Sequence, residues 1–285
     1  MEKIEKFLNK YFEQYEIYEE ENEYKSIAFE SNNLKEISIK QSKGFAVRAI
    51  KNSGLTFSSS SNYDLEKFNS NFLELSQFPT QTNIEFPKDQ SHKNNVKIYS
   101  KDEFLLENNY FIDKLEKNIK KILKKFPEAL CDAEFDLGLG TSYINNSNGL
   151  NLESKESGIS FFISAQTING NDMLNIYSYA SINIYSYASS VKNIEDNVID
   201  LLTTKLIENL SIAKNIKETP SKGCPIIFTP HGLYQTILSP LLVSFNGSNL
   251  SKNLSKLTNK ENEKIFDKKI TIIDDPLIDF STSSR

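Results

Sequence analysis

Histidine and cysteine, which supply the nitrogen and sulfur ligands of most zinc sites, are scarce in this sequence. It has two histidines, His92 and His231, and two cysteines, Cys131 and Cys224, which lie too far apart to suggest a disulfide framework. A tetrahedral zinc site needs three or four nitrogen, sulfur or oxygen ligands, and the surroundings of His231 add only Cys224. We therefore predict no metal site, no catalytic residue and no cofactor. His231 is interpreted as a partly exposed imidazole near the start of a helix.

A repeated heptapeptide is the second chemically suggestive feature. Asn-Ile-Tyr-Ser-Tyr-Ala-Ser occurs at residues 175–181 and again, eight residues later, at 183–189. Because this offset is even, a single long strand would place all four tyrosines on one face. Such a row can stack on a peptide or a nucleobase, although packing between strands is the commoner use. The candidate contacts for a peptide or a partner are Tyr177, Tyr179, Tyr185 and Tyr187.

Composition and charge narrow the possible functions. A net charge of −5 and an isoelectric point near 5.4 argue against nucleic-acid binding, which requires a basic surface. No apolar run reaches the roughly 20 residues needed to cross a bilayer. The N-terminus lacks the apolar segment of a signal peptide, so we expect a cytoplasmic location. Proteins or peptides are the expected partners, rather than nucleic acid or a membrane.

The first 77 residues are predicted to form a helix, an antiparallel meander and a second helix. The acidic run at residues 19–23 is expected to end the first helix in solvent. Residues 24–60 alternate between apolar and polar types, which indicates four strands. The second helix is predicted over residues 65–75. The turns expected between the strands are Asn32-Asn33, Lys43-Gly44 and Ser53-Gly54.

Residues 78–104 are unpatterned and are interpreted as a linker, and residues 105–285 as a second α+β region. This region is predicted to contain a helix from Phe111 to Phe126, whose lysine-rich face is interpreted as solvated. Strands follow, with a hairpin at residues 145–149 and the tyrosine-rich strand beyond it. We predict an α+β fold in two parts, with antiparallel or mixed sheets packed against amphipathic helices.

A long apolar helix is predicted near the C-terminal end. A short strand, Ile226 to Phe228, runs into Thr229-Pro230, where the threonine can cap a helix and the proline suits its first turn. Apolar residues then recur at helical spacing as far as Phe245, so this helix is expected to lie in the core. Pro240 should kink it or restart it at Ser239.

The order of these elements, together with several short motifs, resembles the TldD/PmbA family, also called modulators of DNA gyrase. The motifs include Lys43-Gly-Phe-Ala-Val-Arg48, Tyr143-Ile-Asn-Asn-Ser-Asn-Gly149 and Ile270-Thr-Ile-Ile-Asp-Asp-Pro276. The resemblance extends over the whole chain. It implies a zinc metalloprotease subunit, TldD, that pairs with a catalytically silent subunit, PmbA or TldE. Together, the two subunits degrade unfolded peptides and trim peptide precursors.

Two departures from the family pattern matter for function. The active subunit carries a His-Glu-x-x-x-His motif on the helix after the apolar strand, where two imidazoles hold zinc and a carboxylate activates water. The corresponding residues 234–247 contain no His, Glu or Asp. In addition, the sequence ends soon after Pro276, before the position at which we expect the family's C-terminal domain.

The sequence is therefore interpreted as a PmbA/TldE-like, non-catalytic member of the family. It is expected to bind unfolded peptide, an active TldD-like subunit, or a second copy of itself. One alternative is a self-sufficient zinc metallopeptidase with unrecognised ligands. Another is a nucleic-acid-associated modulator of gyrase, which the acidic composition opposes.

Overall fold

The computed structural model describes residues 2–88, 96–102, 104–169, 172–181, 196–215, 217–218, 223–275 and 277–278. The chain divides into two compact units, one formed by Met1–Asn215 with Asp275–Arg285 and the other by Ile216–Asp274. The predicted boundaries at residues 77 and 105 both fall within the first unit. No helix in the described ranges is long and apolar enough to cross a membrane.

The first unit contains an antiparallel sheet with the strand order β4-β3-β2-β1-β5-β6-β7. Its fold is α+β, as predicted. The two long central hairpins, β1–β2 and β5–β6, are joined through the pairing of β1 with β5. The strands are β1 (Gln14–Glu30), β2 (Asn33–Lys51), β3 (Gly54–Ser60), β4 (Thr80–Gln81), β5 (Leu130–Asn146), β6 (Asn151–Asn169) and β7 (Asp172–Ser181). The helices are α1 (Glu2–Tyr11), α2 (Leu65–Leu75), α3 (Asn108–Leu123) and α4 (Asp196–Ala213).

The helices of this unit pack on one face of the sheet. Two hydrophobic clusters form there, one beneath α1 and α2 and the other beneath α3 and α4. Every residue that β1, β2, β5 and β6 contribute to these clusters is odd-numbered, as expected for side chains that alternate between two faces. We call this side the helix-covered face. The even-numbered residues of the same strands, from residue 36 onward in β2, form the open face.

The predicted meander of four strands is wrong, because two long strands, β1 and β2, and the shorter β3 occupy the region. The acidic run at residues 19–23 lies within β1 rather than at the end of a helix. Lys43-Gly44 is not a turn: β2 continues through it, Lys43 forms an ion pair with Glu21, and Gly44 pairs with Glu20. The acidic residues are tolerated in a central strand because alternation divides them between two faces that are partly solvated here.

The turns that end these strands were predicted to within one residue. Ser31 and Asn32 have φ angles of 48° and 73°, and Asn52 and Ser53 have φ angles of 50° and 58°. Positive φ angles at both central residues are typical of the tight turns that match the twist of a hairpin. The side chain of Asn32 fixes the first turn by accepting a hydrogen bond from the Cys131 N–H at 2.9 Å.

In the second unit, the segment from Pro230 to Ser251 is helical, and part of its prediction is confirmed. Its elements are α5 (Pro230–Leu233), a π-helical turn (Tyr234–Leu238), α6 (Ser239–Ser244) and α7 (Gly247–Ser251). Thr229 caps the first turn, because its Oγ1 accepts a hydrogen bond from the Gly232 N–H at 3.1 Å. The change of helix type before Ser239 is the predicted effect of Pro240.

The prediction that this helix lies in the core is wrong for the part of the chain that the structure describes. None of the described residues between 223 and 274 is buried, and Val243 is 60% exposed. The predicted strand at residues 226–228 is also absent, and Ile227 is 94% exposed. Helical spacing predicts an apolar face correctly, but it does not show which surface covers that face.

Candidate functional site

Two of the sequence motifs meet at one end of the open face. Arg48 ends the Gly-Phe-Ala-Val-Arg motif in β2 and pairs with Glu16 in β1, which in turn pairs with Asn146 in β5. The Arg48 guanidinium forms an ion pair with the Glu16 carboxylate, and its Nε donates to that carboxylate at 3.0 Å. Glu16 is only 5% exposed, so this pairing compensates the loss of its hydration.

Asn146 organises the turn that contains the Asn-Asn-Ser-Asn-Gly motif. Its Oδ1 accepts hydrogen bonds from the backbone N–H groups of Asn148 at 2.9 Å and Leu150 at 3.1 Å. Gly149 has a φ angle of 92°, which suits glycine best. Ser147 and Tyr15 exchange two hydrogen bonds that attach the turn to β1. The motif therefore has a structural role, and the predicted hairpin is confirmed.

The same end of the open face holds an irregular part of the chain, residues 84–88, which we call the strap. The side chains of Asn146 and Asn148 donate to the carbonyl oxygens of Pro87 at 2.8 Å and Phe86 at 2.6 Å. Phe86 is 3% exposed, and the Arg48 guanidinium lies 5.3 Å from the centre of its ring. Amide side chains and a cation on the sheet thus bind main-chain carbonyls and an aromatic ring of this strap.

A shallow groove of about 300 Å³ lies further along the open face. We call it the Tyr24 groove, after the tyrosine whose ring lies against β5. Tyr24 pairs with Gly138 on β5, and Gly138 pairs with Gly158 on β6. The two positions next to the tyrosine across the sheet therefore carry no side chain. A Cβ atom at Gly138 would lie 3.4 Å from the Tyr24 ring. At Gly140 it would lie 3.1 Å from the side chain of Glu156, so both glycines make room for neighbouring side chains.

Carboxylates surround the Tyr24 groove. Asp136 and Glu156 line it, and an adjoining groove of about 330 Å³ adds Glu36 and Glu134. Ser26 donates a hydrogen bond to Glu134 at 2.8 Å. Of the described residues that line these two grooves, Lys40, which pairs with Tyr24, is the single cation. This part of the open face is therefore acidic, with an aromatic ring and small residues at its centre.

The histidines and cysteines considered as zinc ligands do not form a metal site in the described part of the chain. No group of three or more His, Cys, Asp or Glu residues there could hold a metal ion. Cys131 is buried in the core, and burial, with a smaller effect of Asp132, raises the pKa of its thiol to about 12. Cys224 is exposed. His231 belongs to α5, and His92 lies outside the described residues.

The predicted tyrosine contacts are only partly within the described structure. Tyr177 and Tyr179 belong to β7, where they pair with Ser164 and Phe162 of β6. Tyr185 and Tyr187 lie outside the described residues, so the role of all four tyrosines stays a prediction. The sequence analysis missed the Tyr24 groove. The signal for it was Gly138 and Gly140, because glycine at alternate positions of a strand often marks a close approach by another group.

Comparisons with known proteins identify the family of this chain. A family model described as PmbA/TldA metallopeptidase domain 1 matches residues 15–73, and a second, described as the C-terminal domain, matches residues 221–285. The chain belongs to the TldD/PmbA family. The match of the C-terminal domain also corrects our expectation that this domain would begin beyond the sequence, because as the family model defines it, the domain begins at residue 221.

Two solved structures share the fold of this chain. TldE from Thermococcus kodakarensis has a TM-score of 0.73 and 17% identity, over 91% of this chain and 58% of its own. A candidate modulator of DNA gyrase from Bacteroides thetaiotaomicron has a TM-score of 0.81 and 16% identity, over 96% of this chain and 62% of its own. At these identities, the likeness establishes the fold alone.

A curated relative of this family member is the uncharacterized protein MJ0231 of Methanocaldococcus jannaschii. It is 28% identical over 152 residues, which make up 52% of this chain and 36% of that protein. This chain thus spans about a third of the length of that relative and about three fifths of the two solved structures.

Proposed function

We propose that this protein is a non-catalytic, PmbA/TldE-like member of the TldD/PmbA family that binds unfolded peptide, an active TldD-like subunit, or both. One observation supports the peptide-binding part of this proposal. At one end of the open face, side-chain amides donate hydrogen bonds to the main-chain carbonyls of the strap. Side-chain amides that bind main-chain carbonyls do not depend on the identity of the bound side chains. This property suits a protein that binds unfolded peptides of varied sequence.

The proposal that the chain is non-catalytic rests on its ligand inventory. The family implies a zinc ion, but the helical residues 234–247 contain no His, Glu or Asp, and the sequence has only two histidines. Two imidazoles about one helical turn apart and a carboxylate are needed to hold zinc and activate its water. The residues present therefore do not fit this group.

The proposed partner contact rests on the second unit. Ile226, Ile227 and Val243 are all at least 60% exposed. Exposed apolar surface of this extent is typical of a region that contacts another polypeptide, such as a TldD-like subunit or a second copy of the chain. The cytoplasmic location inferred from the sequence stays a prediction.

Metal analysis and peptide binding together test the proposed function. The purified protein, after dialysis, should contain no stoichiometric zinc, should leave an unfolded peptide intact, and should raise the fluorescence anisotropy of that peptide when labelled. About one zinc ion per chain with chelator-sensitive cleavage would instead establish a metallopeptidase. Salt-dependent binding to DNA, with no binding to peptide, would favour the nucleic-acid-associated alternative.

A further inference from the structure

The open face carries an excess of negative charge in one place. Eight carboxylates belong to it: Glu16, Glu20, Glu30, Glu36, Asp132, Glu134, Asp136 and Glu156. Glu16 is neutralised by Arg48, and Glu20 accepts hydrogen bonds from Tyr18 and Asn22. Glu30 forms an ion pair with Lys35, and Asp132 accepts a hydrogen bond from the Ser31 N–H. The remaining four line the Tyr24 groove and the groove that adjoins it, where Lys40 is the single cation among the described lining residues.

The centre of this acidic region suits the long side chain of lysine or arginine. The ring of Tyr24, which is 51% exposed, lies beside Gly138 and Gly158, where no side chain blocks the approach. A cation within about 6 Å of a tyrosine ring is attracted to its face. The methylene stem of the same side chain can pack on the glycine backbone, while its head remains near Asp136 and Glu156.

The strap shows how a polypeptide is held at the other end of the same face. There, the cation is on the sheet and the aromatic ring is on the bound segment, because Arg48 contacts Phe86. At the Tyr24 groove the two roles are exchanged, since the sheet supplies the ring and the negative charges. Charge complementarity therefore selects a cationic segment for this part of the face.

We propose that the Tyr24 groove binds a lysine or arginine side chain of an unfolded peptide that lies on the open face. This inference rests on the proposed function and adds a preference for cationic over neutral peptides. Because the carboxylates are partly solvated, the preference should weaken as salt shortens the Debye length below its value of about 8 Å at physiological ionic strength.

Two labelled peptides of equal length test the preference. One carries several lysine and arginine residues, and the other has glutamine at each of those positions. Fluorescence anisotropy should give a dissociation constant about tenfold lower for the cationic peptide at low salt. Two groove variants are compared with the wild type: the double variant Asp136→Asn/Glu156→Gln and the single variant Tyr24→Ala. Each should bind the cationic peptide several-fold more weakly than the wild type does. Each should bind the neutral peptide with the same affinity as the wild type.

A matched control separates this effect from net charge. Glu74→Gln/Asp113→Asn neutralises two exposed carboxylates on α2 and α3 and should leave the binding of both peptides unchanged. Thermal unfolding of each variant identifies any that fails to fold. If one groove variant fails to fold, the wild-type comparison of the two peptides still tests the cationic preference, and the other groove variant tests whether the groove is its source.

The outcomes also distinguish the two proposals. Equal affinity for both peptides, unaffected by Asp136→Asn/Glu156→Gln, would overturn the cationic preference and leave the proposed peptide binding intact. If the control variant loses as much affinity for the cationic peptide as the groove variants do, the effect comes from overall charge. That result would also overturn the proposal that the Tyr24 groove binds the cationic side chain. No binding of either peptide would contradict the proposed function itself, and the inference with it.

Discussion

The sheet of the first unit and the helical segment at residues 230–251 are built from the same kinds of apolar residue, but only the sheet buries them. Phe161 in β6 has no exposed surface, whereas Phe245 after α6 is 44% exposed. The sheet places its apolar side chains against four helices of its own unit. The helical segment has a comparable apolar pattern without any buried residue in its described unit. An amphipathic pattern therefore indicates that a surface packs against another surface. It does not show whether that other surface belongs to the same chain.

Removal of a core side chain of the sheet should change the free energy of unfolding the most. Phe161 packs against Phe135 with a centroid distance of 5.2 Å, and Phe161→Ala should lower the free energy of unfolding by about 3–5 kcal/mol. Phe57→Ala is the matched control, because Phe57 of β3 pairs with Arg48 on the open face and is 59% exposed. It should change the free energy by less than about 1 kcal/mol in urea titrations. Equal losses for both variants would mean that the open face is covered in solution.

The buried ion pair should have the next largest effect. Arg48→Leu leaves the Glu16 carboxylate desolvated and unpaired, which should cost about 2–3 kcal/mol. This is below the range for a fully buried pair, because the Arg48 side chain is 44% exposed. Lys43→Leu removes a second ion pair between β2 and β1, but both of its members are about half exposed, so the loss should be under about 1 kcal/mol. If the two losses are similar in urea titrations, Glu16 is hydrated in solution.

The pH dependence of stability provides a third, smaller measure of burial. The folded protein holds the Cys131 proton more tightly than the unfolded chain does, because burial raises the thiol pKa from 9.0 to about 12. The contribution of this group is therefore complete below pH 9 and is lost as the pH rises toward 12. The wild type should lose more stability across that interval than Cys131→Val does, and only Cys224 should react with a thiol reagent before urea is added. Rapid labelling of Cys131 in the native state would contradict its burial.

Substitutions in the second unit should have the smallest effect on folding. Ile227→Ser and Val243→Ser remove highly exposed apolar side chains, so each should change the free energy of unfolding by less than about 0.5 kcal/mol. Sedimentation velocity should nevertheless show weaker association, either of the chain with itself or with a TldD-like subunit. A large loss of stability would show that these residues are buried within the chain, and unchanged association would remove them from the proposed contact.

Local signals in the sequence predicted the helices better than the strands or the site. Helix α2 begins and ends where predicted, because Asp64 caps it and its apolar residues follow one helical period. Strand β1 was partly missed because its acidic run, whose charges are divided between two faces, resembles a solvated helix end. The association of Arg48, Glu16 and Asn146 depends on the pairing of three strands, two of which are far apart in the sequence. A connecting turn fixes the register of β1 with β2, but no turn connects β1 to β5, so local patterns do not predict that Glu16 lies beside Asn146.

The strict odd-numbered occupancy of the core in β1, β2, β5 and β6 constrains how the gene can change length. Deletion of a single codon within one of these strands would move every later side chain of that strand to the opposite face, which would place carboxylates in the core and phenylalanines in water. Deletion of two codons would preserve the faces and only shorten the strand. Among related genes, length differences should therefore concentrate at the turns near residues 31, 52 and 147, or else occur within strands in even numbers.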